Sequence, residues 1–313
     1  MNETEFINRL SSVFRPAPKQ INKPWEADAE IIEHSPGRFF AVSTDGFSET
    51  EDFFQSTPPE RIGRNIAWGA AADLCACGVK PEFISQCWNI DTQKDIDYYI
   101  QLAHGIESTL KEMNIYSLGG DTGVSSPWNW TGTLWGQSAS TPILRKAREE
   151  TPFTLYATGS WGDANAAGAF GSPAPLFEIR RPIPPNSLFG TDSSGGFFDA
   201  IESFRRVNPR LTLNLNLDAV PYAVSIPFFP SEFLLIGGIG EYELLFALPQ
   251  SAPAPEEGVA IGEGAFTGEG VTLLKNGRQA GKMNSSPPDY RNVAKEQYLE
   301  VTQKYYNELG LGN

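Results

Sequence analysis

Histidine is almost missing: His34 and His104 are the only two in 313 residues. A His-based triad, or a zinc site built on His and Cys, therefore has little to draw on. Cysteine is also scarce, at three, and Cys75-Ala76-Cys77 is too closely spaced for an ordinary metal pair. Cys75, Cys77 and Cys87 read as reduced core residues of a cytosolic protein. Positive charge is in deficit, with 24 Lys and Arg against 38 Asp and Glu and a net charge of −14. That argues against sequence-independent nucleic-acid binding, whose affinity comes from cations at phosphates. No apolar run approaches the ~18 residues of a membrane helix. Met1-Asn2-Glu3-Thr4-Glu5 is acidic, unlike the opening of a secretory signal. The expectation is a soluble, cytoplasmic protein with neither nucleic acid nor membrane as partner.

What remains suits packed cores. Hydrophobic residues make up 40% and charged residues only 20%, which argues against disorder. The length fits one large or two medium domains. Apolar spacing predicts a helix over 3–14, and strands over 29–33 and 38–43 around Ser35-Pro36-Gly37. A helix over 60–78, rich in small residues, ends in Gly78. A strand over 82–89, a helix over 95–113 and a strand over 131–136 follow. The charged run Arg145 to Thr151 marks a break, giving units 1–148 and 149–313. The second unit opens with a strand over 153–158. Phe233–Gly238 and Tyr242–Ala247 read as strands, 260–263 and 270–274 as a closing strand pair, and 294–309 as a helix. The class is mixed α/β.

Candidate chemistry lies in four separated aspartates. Asp121 follows the pair Gly119-Gly120, which reads as a tight turn able to approach a ligand closely. Asp45 ends an apolar strand and precedes Gly46. Asp73 lies within an apolar helix face, where an unpaired carboxylate is costly and must have a partner. Asp192-Ser193-Ser194-Gly195-Gly196 precedes an apolar segment, and N-capping would account for it as well as function. Carboxylate oxygens are ligands that Mg²⁺ prefers. Gly159-Ser160-Trp161-Gly162-Asp163 after a strand either cradles a phosphate on backbone amides or is only a strand-to-helix turn. It has no Walker Lys-Ser/Thr and no full Rossmann fingerprint.

The order of these pieces resembles a known family. Ser43-Thr44-Asp45, an alanine-rich helix with Asp73-Leu74, Gly119-Gly120-Asp121-Thr122, Thr158-Gly159 to Asp163, Asp192 to Gly196 and Glu241-Tyr242-Glu243-Leu244-Leu245-Phe246 look like thiamine-monophosphate kinase. More broadly they are similar to the superfamily of aminoimidazole ribonucleotide synthetase, selenophosphate synthetase and a hydrogenase maturation factor. The resemblance spans about residues 4 to 275. It implies an N-terminal mixed α/β domain that pairs sheets across a homodimer, a C-terminal α/β domain, and ATP in a cleft near the dimer interface. It implies Mg²⁺ on Asp28, Asp45, Asp73, Asp121 and Asp192, with Asp121 and Asp192 catalytic. Thr44, Gly120, Thr122, Gly159, Asp163 and Ser194 would contact the nucleotide. The implied activity is transfer of the ATP γ-phosphate to a small acceptor. The alternatives are a sibling that uses ATP to activate an amide-type oxygen, and a non-catalytic nucleotide-binding scaffold. Several positions depart from the family pattern: Glu26-Ala27-Asp28-Ala29 stands for Gly-Asp-Asp-Ala, Asn65 for a Lys, and Ser194-Gly195-Gly196 for Ser-Asp-Gly. Trp88, Trp128, Trp130, Phe53 and Phe54 serve equally as pocket walls or core.

Overall fold

The computed structural model describes residues 3–50, 56–223, 229–290 and 293–312; Phe53 and Phe54 lie outside them. The chain opens with α1 (Glu3–Ser11), then β1 (Glu30–Ser35) and β2 (Arg38–Ser48), a hairpin whose turn uses Gly37 at φ 68°. Helix α2 (Pro59–Ala76) has Pro59 at its first turn, where the missing N–H costs nothing. Strand β3 (Phe83–Ile90) leads to α3 (Ile96–Met113), capped by the Asp95 carboxylate on the Asp97 amide. β4 (Tyr116–Val124) and β5 (Asn129–Ser138) complete a sheet of order β1-β2-β5-β3-β4.

The small residues of α2 let it lie unusually close to α3. A Cβ added at Gly63 would come 2.0 Å from the Leu102 carbonyl oxygen, and one at Gly105 1.9 Å from that of Glu60. α2 also packs on β2 and β5, and Ile66, Ala70, Leu74 and Trp130 are fully buried in the shared core. Trp128 and Trp130 belong to this core, and Trp88 packs against it.

The second half forms a seven-stranded sheet of order β12-β11-β8-β10-β6-β9-β7. Its elements are β6 (Phe153–Ala157), α4 (Asp163–Phe170), β7 (Phe189–Thr191), α5 (Phe197–Val207), β8 (Thr212–Asn216), β9 (Leu245–Pro249), β10 (Val259–Ala265), β11 (Gly270–Lys275), β12 (Arg278–Met283) and α6 (Tyr298–Glu308). Aromatic rings fill its core, with Phe189 against Phe153 and Phe204, and Trp161 against Phe197. No helix among the described residues is long and apolar enough to cross a membrane.

Three expectations change. Gly119-Gly120 is not a turn but lies inside β4, where the register against β3 slips by one residue and Gly119 adopts φ 101°. A Cβ at Gly120 would meet the Gln86 carbonyl oxygen at 1.6 Å, so glycine here permits a bulged edge strand. Phe233 to Gly238 is not a strand: Ser231–Leu235 is a 3-10 turn following Pro230, with Phe233, Leu234 and Leu235 buried against α4 and α6. A short apolar run has no period to separate the two forms. The segments near 260 and 270 do not pair with each other, because β8 lies between β10 and β11.

Candidate carboxylate centre and adjoining cavity

Three remote chain segments bring Asp28, Asp73 and Asp192 together, with one ligand oxygen of each within 4.8 Å of the others. Asp28 precedes β1, Asp73 projects from the last turns of α2, and Asp192 follows β7. β7 is the edge strand of the second sheet and touches α2, so the centre sits where the two halves of the chain meet. Ser43 on β2 donates a hydrogen bond to Asp73 Oδ2, which is the partner that burial requires. Arg145 Nη2 pairs with Asp28 Oδ1, and its Nε donates to Thr191 Oγ1 at 3.1 Å. Thr191 donates in turn to Asp28 Oδ1 at 2.9 Å.

Burial and the neighbouring Asp45 and Asp28 charges hold the Asp73 carboxyl well above the usual carboxylate range. Burial, with Asp73 and Asp28, does the same at Asp192. Burial works against the Arg145 guanidinium, but Asp28, Asp192 and Asp73 outweigh it and its net shift is upward. Asp28 Oδ2 and Asp192 Oδ2 are buried with no hydrogen-bond partner. Two orphaned carboxyl oxygens in a cluster of aspartates match the donor set of a hard divalent cation such as Mg²⁺. The residues present therefore fit the metal.

The other candidates are placed differently. Asp45 acts electrostatically on Asp73 from β2 but is not one of the three. Thr44 is exposed, and its hydroxyl meets that of Thr133 at 3.0 Å. Gly120, Asp121 and Thr122 lie on β4, at the far edge of the first sheet. Asp45, Gly132, Gln86 and Gly120 are successive partners across that sheet. Asp121 is thus three strand spacings from Asp45, about 14 Å at ~4.8 Å each, and does not reach the centre within one chain.

The amides at the start of α4 are occupied by the chain itself. Glu241 accepts from the Gly162 amide at 2.8 Å and the Ala164 amide at 3.2 Å. Burial, and then a hydrogen bond with Asp163, raise the Glu241 carboxyl well above its ordinary value. Gly159, at φ 55°, lies against Glu243, and a Cβ there would meet its carboxylate oxygen at 1.9 Å. Glu243 is held by Arg180 Nε and Nη2, both at 2.7 Å, and by Thr158 Oγ1 at 2.6 Å. This arrangement makes 159–163 a strand-to-helix turn whose amides bind an internal carboxylate.

A cavity of about 250 Å³ adjoins the centre. Phe47, Phe177, Tyr242, Tyr290 and Tyr298 supply its rings, and Ser194 lines it while donating to Asp192 Oδ1 at 3.2 Å. Tyr242 stands between Phe47 and Phe177, with ring centroids 6.1 and 5.3 Å away, on a backbone at φ 53°. An aromatic residue rarely adopts that region. Asn65 pins one wall: its Nδ2 donates to the Pro175 carbonyl at 2.7 Å, and its Oδ1 accepts from the Phe177 amide at 3.1 Å. Thr57 and Arg61, eight and four residues before it, bind the Ala174 amide and carbonyl at 2.8 and 3.2 Å. Sequence reasoning missed Arg145, which it placed at a domain break. The signal available was a basic residue directly after the apolar pair Ile143-Leu144.

Residues 26–136 match the family model described as AIR synthase related protein, N-terminal domain. The solved HypE hydrogenase maturation protein of E. coli superposes with a TM-score of 0.61 at 17% identity, over 83% of this chain and 88% of that one. The chain is also similar to thiamine-monophosphate kinases. A curated thiamine-monophosphate kinase from Synechococcus elongatus is 24% identical over 251 residues, 71% of this chain and 76% of its own length. AaThiL, solved in complex with AMPPCP and TMP, superposes with a TM-score of 0.73 at 18% identity, over 91% of this chain and 94% of that one. The thiamine monophosphate kinase of Aquifex aeolicus gives 0.67 at 18% identity, covering 89% and 99%.

Proposed function

We propose that the protein is an ATP-dependent phosphotransferase acting on a small acceptor, and that thiamine monophosphate is the first acceptor to test. The observation that carries this reading is the pair of orphaned oxygens on Asp28 and Asp192, joined through Ser194 to a ring-lined cavity. The Synechococcus kinase and the nucleotide-bound AaThiL support it. Asp28, Asp73 and Asp192 would hold Mg²⁺, which would neutralise and orient the transferring phosphates. Ser43 and Thr191 orient two of the three carboxylates, and Arg145 offsets their mutual repulsion. The acceptor body would lie in the cavity, with its reacting oxygen toward Ser194. Burial there excludes water, which favours transfer over hydrolysis.

The same reading takes the protein as a homodimer. Every residue of β4 but Gly123 is exposed, including Tyr116, Leu118 and Val124. Among the described residues β1 pairs with β2 only as far as Val42, leaving the edge from Ser43 to Ser48 open. Joining β4 of one copy to that edge of the other closes a barrel and carries Asp121 of the second copy toward Thr44 and Asp45.

The test is γ-phosphate transfer to thiamine monophosphate with Mg²⁺, with products separated. Phosphorylated acceptor is expected, and Asp192→Asn should lower turnover by roughly 10²-fold, as for other groups that stabilise developing charge. Turnover undiminished in Asp192→Asn sinks the site assignment. Free phosphate released together with a dehydrated acceptor would point to the amide-activating siblings.

A further inference from the structure

Arg145 is built into the carboxylate centre rather than reaching in from solvent. Its amide donates to the Glu26 carbonyl at 2.7 Å, and its carbonyl accepts from Asn208 Nδ2 at 2.9 Å. Its side chain is 18% exposed and the Asp28 side chain beside it 1%. With Nη2 on Asp28 and Nε on Thr191, the guanidinium has both ends tied. Among the described residues it is the one cation acting on both Asp73 and Asp192. With a cation bound, all three carboxyls would be ionised, and three carboxylates beside one fixed guanidinium sum to a local charge of about −2. One divalent cation balances that charge. A second would face both the first ion and an immovable guanidinium. The buried oxygens tell the same story: Asp28 gives Oδ1 to Arg145 and Thr191, and Asp192 gives Oδ1 to Ser194, so the fully buried oxygens left unclaimed are Oδ2 of Asp28 and Oδ2 of Asp192. Asp45 is half-buried and its charge is partly screened by solvent.

We propose that Arg145 is a resident counter-cation that takes the place of a metal ion, so that the protein alone binds one divalent cation at Asp28, Asp73 and Asp192. Further ions would enter only with the nucleotide's own charge. The inference rests on reading the three aspartates as a metal centre. The experiment is Mn²⁺ titration of the full chain without nucleotide, followed by electron paramagnetic resonance. One equivalent is expected in the wild type and in Arg145→Lys, and it is lost in Asp192→Asn. Arg145→Gln removes the fixed charge and should take up a second equivalent, or bind its ion at least about tenfold tighter.

Two equivalents in the wild type, both lost in Asp192→Asn, would overturn the proposal, as would an Arg145→Gln titration that superimposes on the wild type or is weaker. Circular dichroism checks the fold of each variant; if Arg145→Gln fails to fold, the wild-type and Arg145→Lys stoichiometries decide. The two readings fail differently. No Mn²⁺ bound by the wild type overturns the metal centre and this proposal together. One ion lost in Asp192→Asn but unaffected by Arg145→Gln overturns the counter-cation alone.

Discussion

Glu241 shows how a single carboxyl can serve structure where a phosphate was the other candidate. It fills the amides of Gly162 and Ala164, and burial together with Asp163 favours its protonated form. A carboxyl whose folded pKa lies above its unfolded value keeps its proton while the unfolded chain has lost it. Stability therefore falls as pH rises from the unfolded pKa to the folded one. Glu241→Gln keeps the shape and an acceptor oxygen but does not titrate. Above the ordinary glutamate value of about 4.5 its Tm should decline less with rising pH than the wild type's; equal slopes would mean that Glu241 is ionised throughout. The sequence made Asp73 legible as a buried carboxylate needing a partner, but not that Ser43, thirty residues away, is that partner. Arg145 was hidden for a related reason: its charge looks solvated among Lys146, Arg148, Glu149 and Glu150, and only the fold turns it inward.

Elements were readable where period and punctuation agree. α2 has Pro59 at its start and small residues along one side, and α3 has Asp95 as its cap. The purpose of the small residues becomes visible only in the α2–α3 contact. Gly63→Ala would push a methyl against the Leu102 carbonyl. It should cost about 1–3 kcal/mol, the usual scale of overpacking, and lower the Tm by several degrees without altering Mn²⁺ stoichiometry. An unchanged Tm would mean that the two helices are free to separate. Elements without a period misled: the apolar run at Phe233 is a 3-10 turn, and the glycine pair before Asp121 is a bulge inside a strand. β12 and β8 went unrecognised because their short, mixed sequences acquire meaning only beside β11.

At the scale of the whole molecule, the centre draws on both halves of the chain, and the proposed dimer adds a second copy. Leu118 is 59% exposed on β4. Leu118→Glu would place a charge on the edge that the proposal buries, a device that blocks edge pairing. Light scattering should report a dimer for the wild type and a monomer for the variant. Phosphotransfer should fall with the dimer, because Asp121 would no longer reach the other copy, while Mn²⁺ binding by Asp28, Asp73 and Asp192 persists. A monomeric wild type with full activity would remove Asp121 and the dimer from the site.

The sequence by itself determined the α/β class, most helices and strands, and a set of aspartates in a recognisable order, because hydrophobic period, proline, glycine and capping residues act over a few neighbours. Only the tertiary structure decided which of those aspartates meet, since Asp28, Asp73 and Asp192 come from segments separated by 45 and 119 residues. It also decided that Arg145 stands among them, that Asp121 stands apart, and that aromatic rings from both halves enclose a cavity beside Ser194. Such contacts depend on how two sheets and the helices between them are packed, which no local pattern encodes.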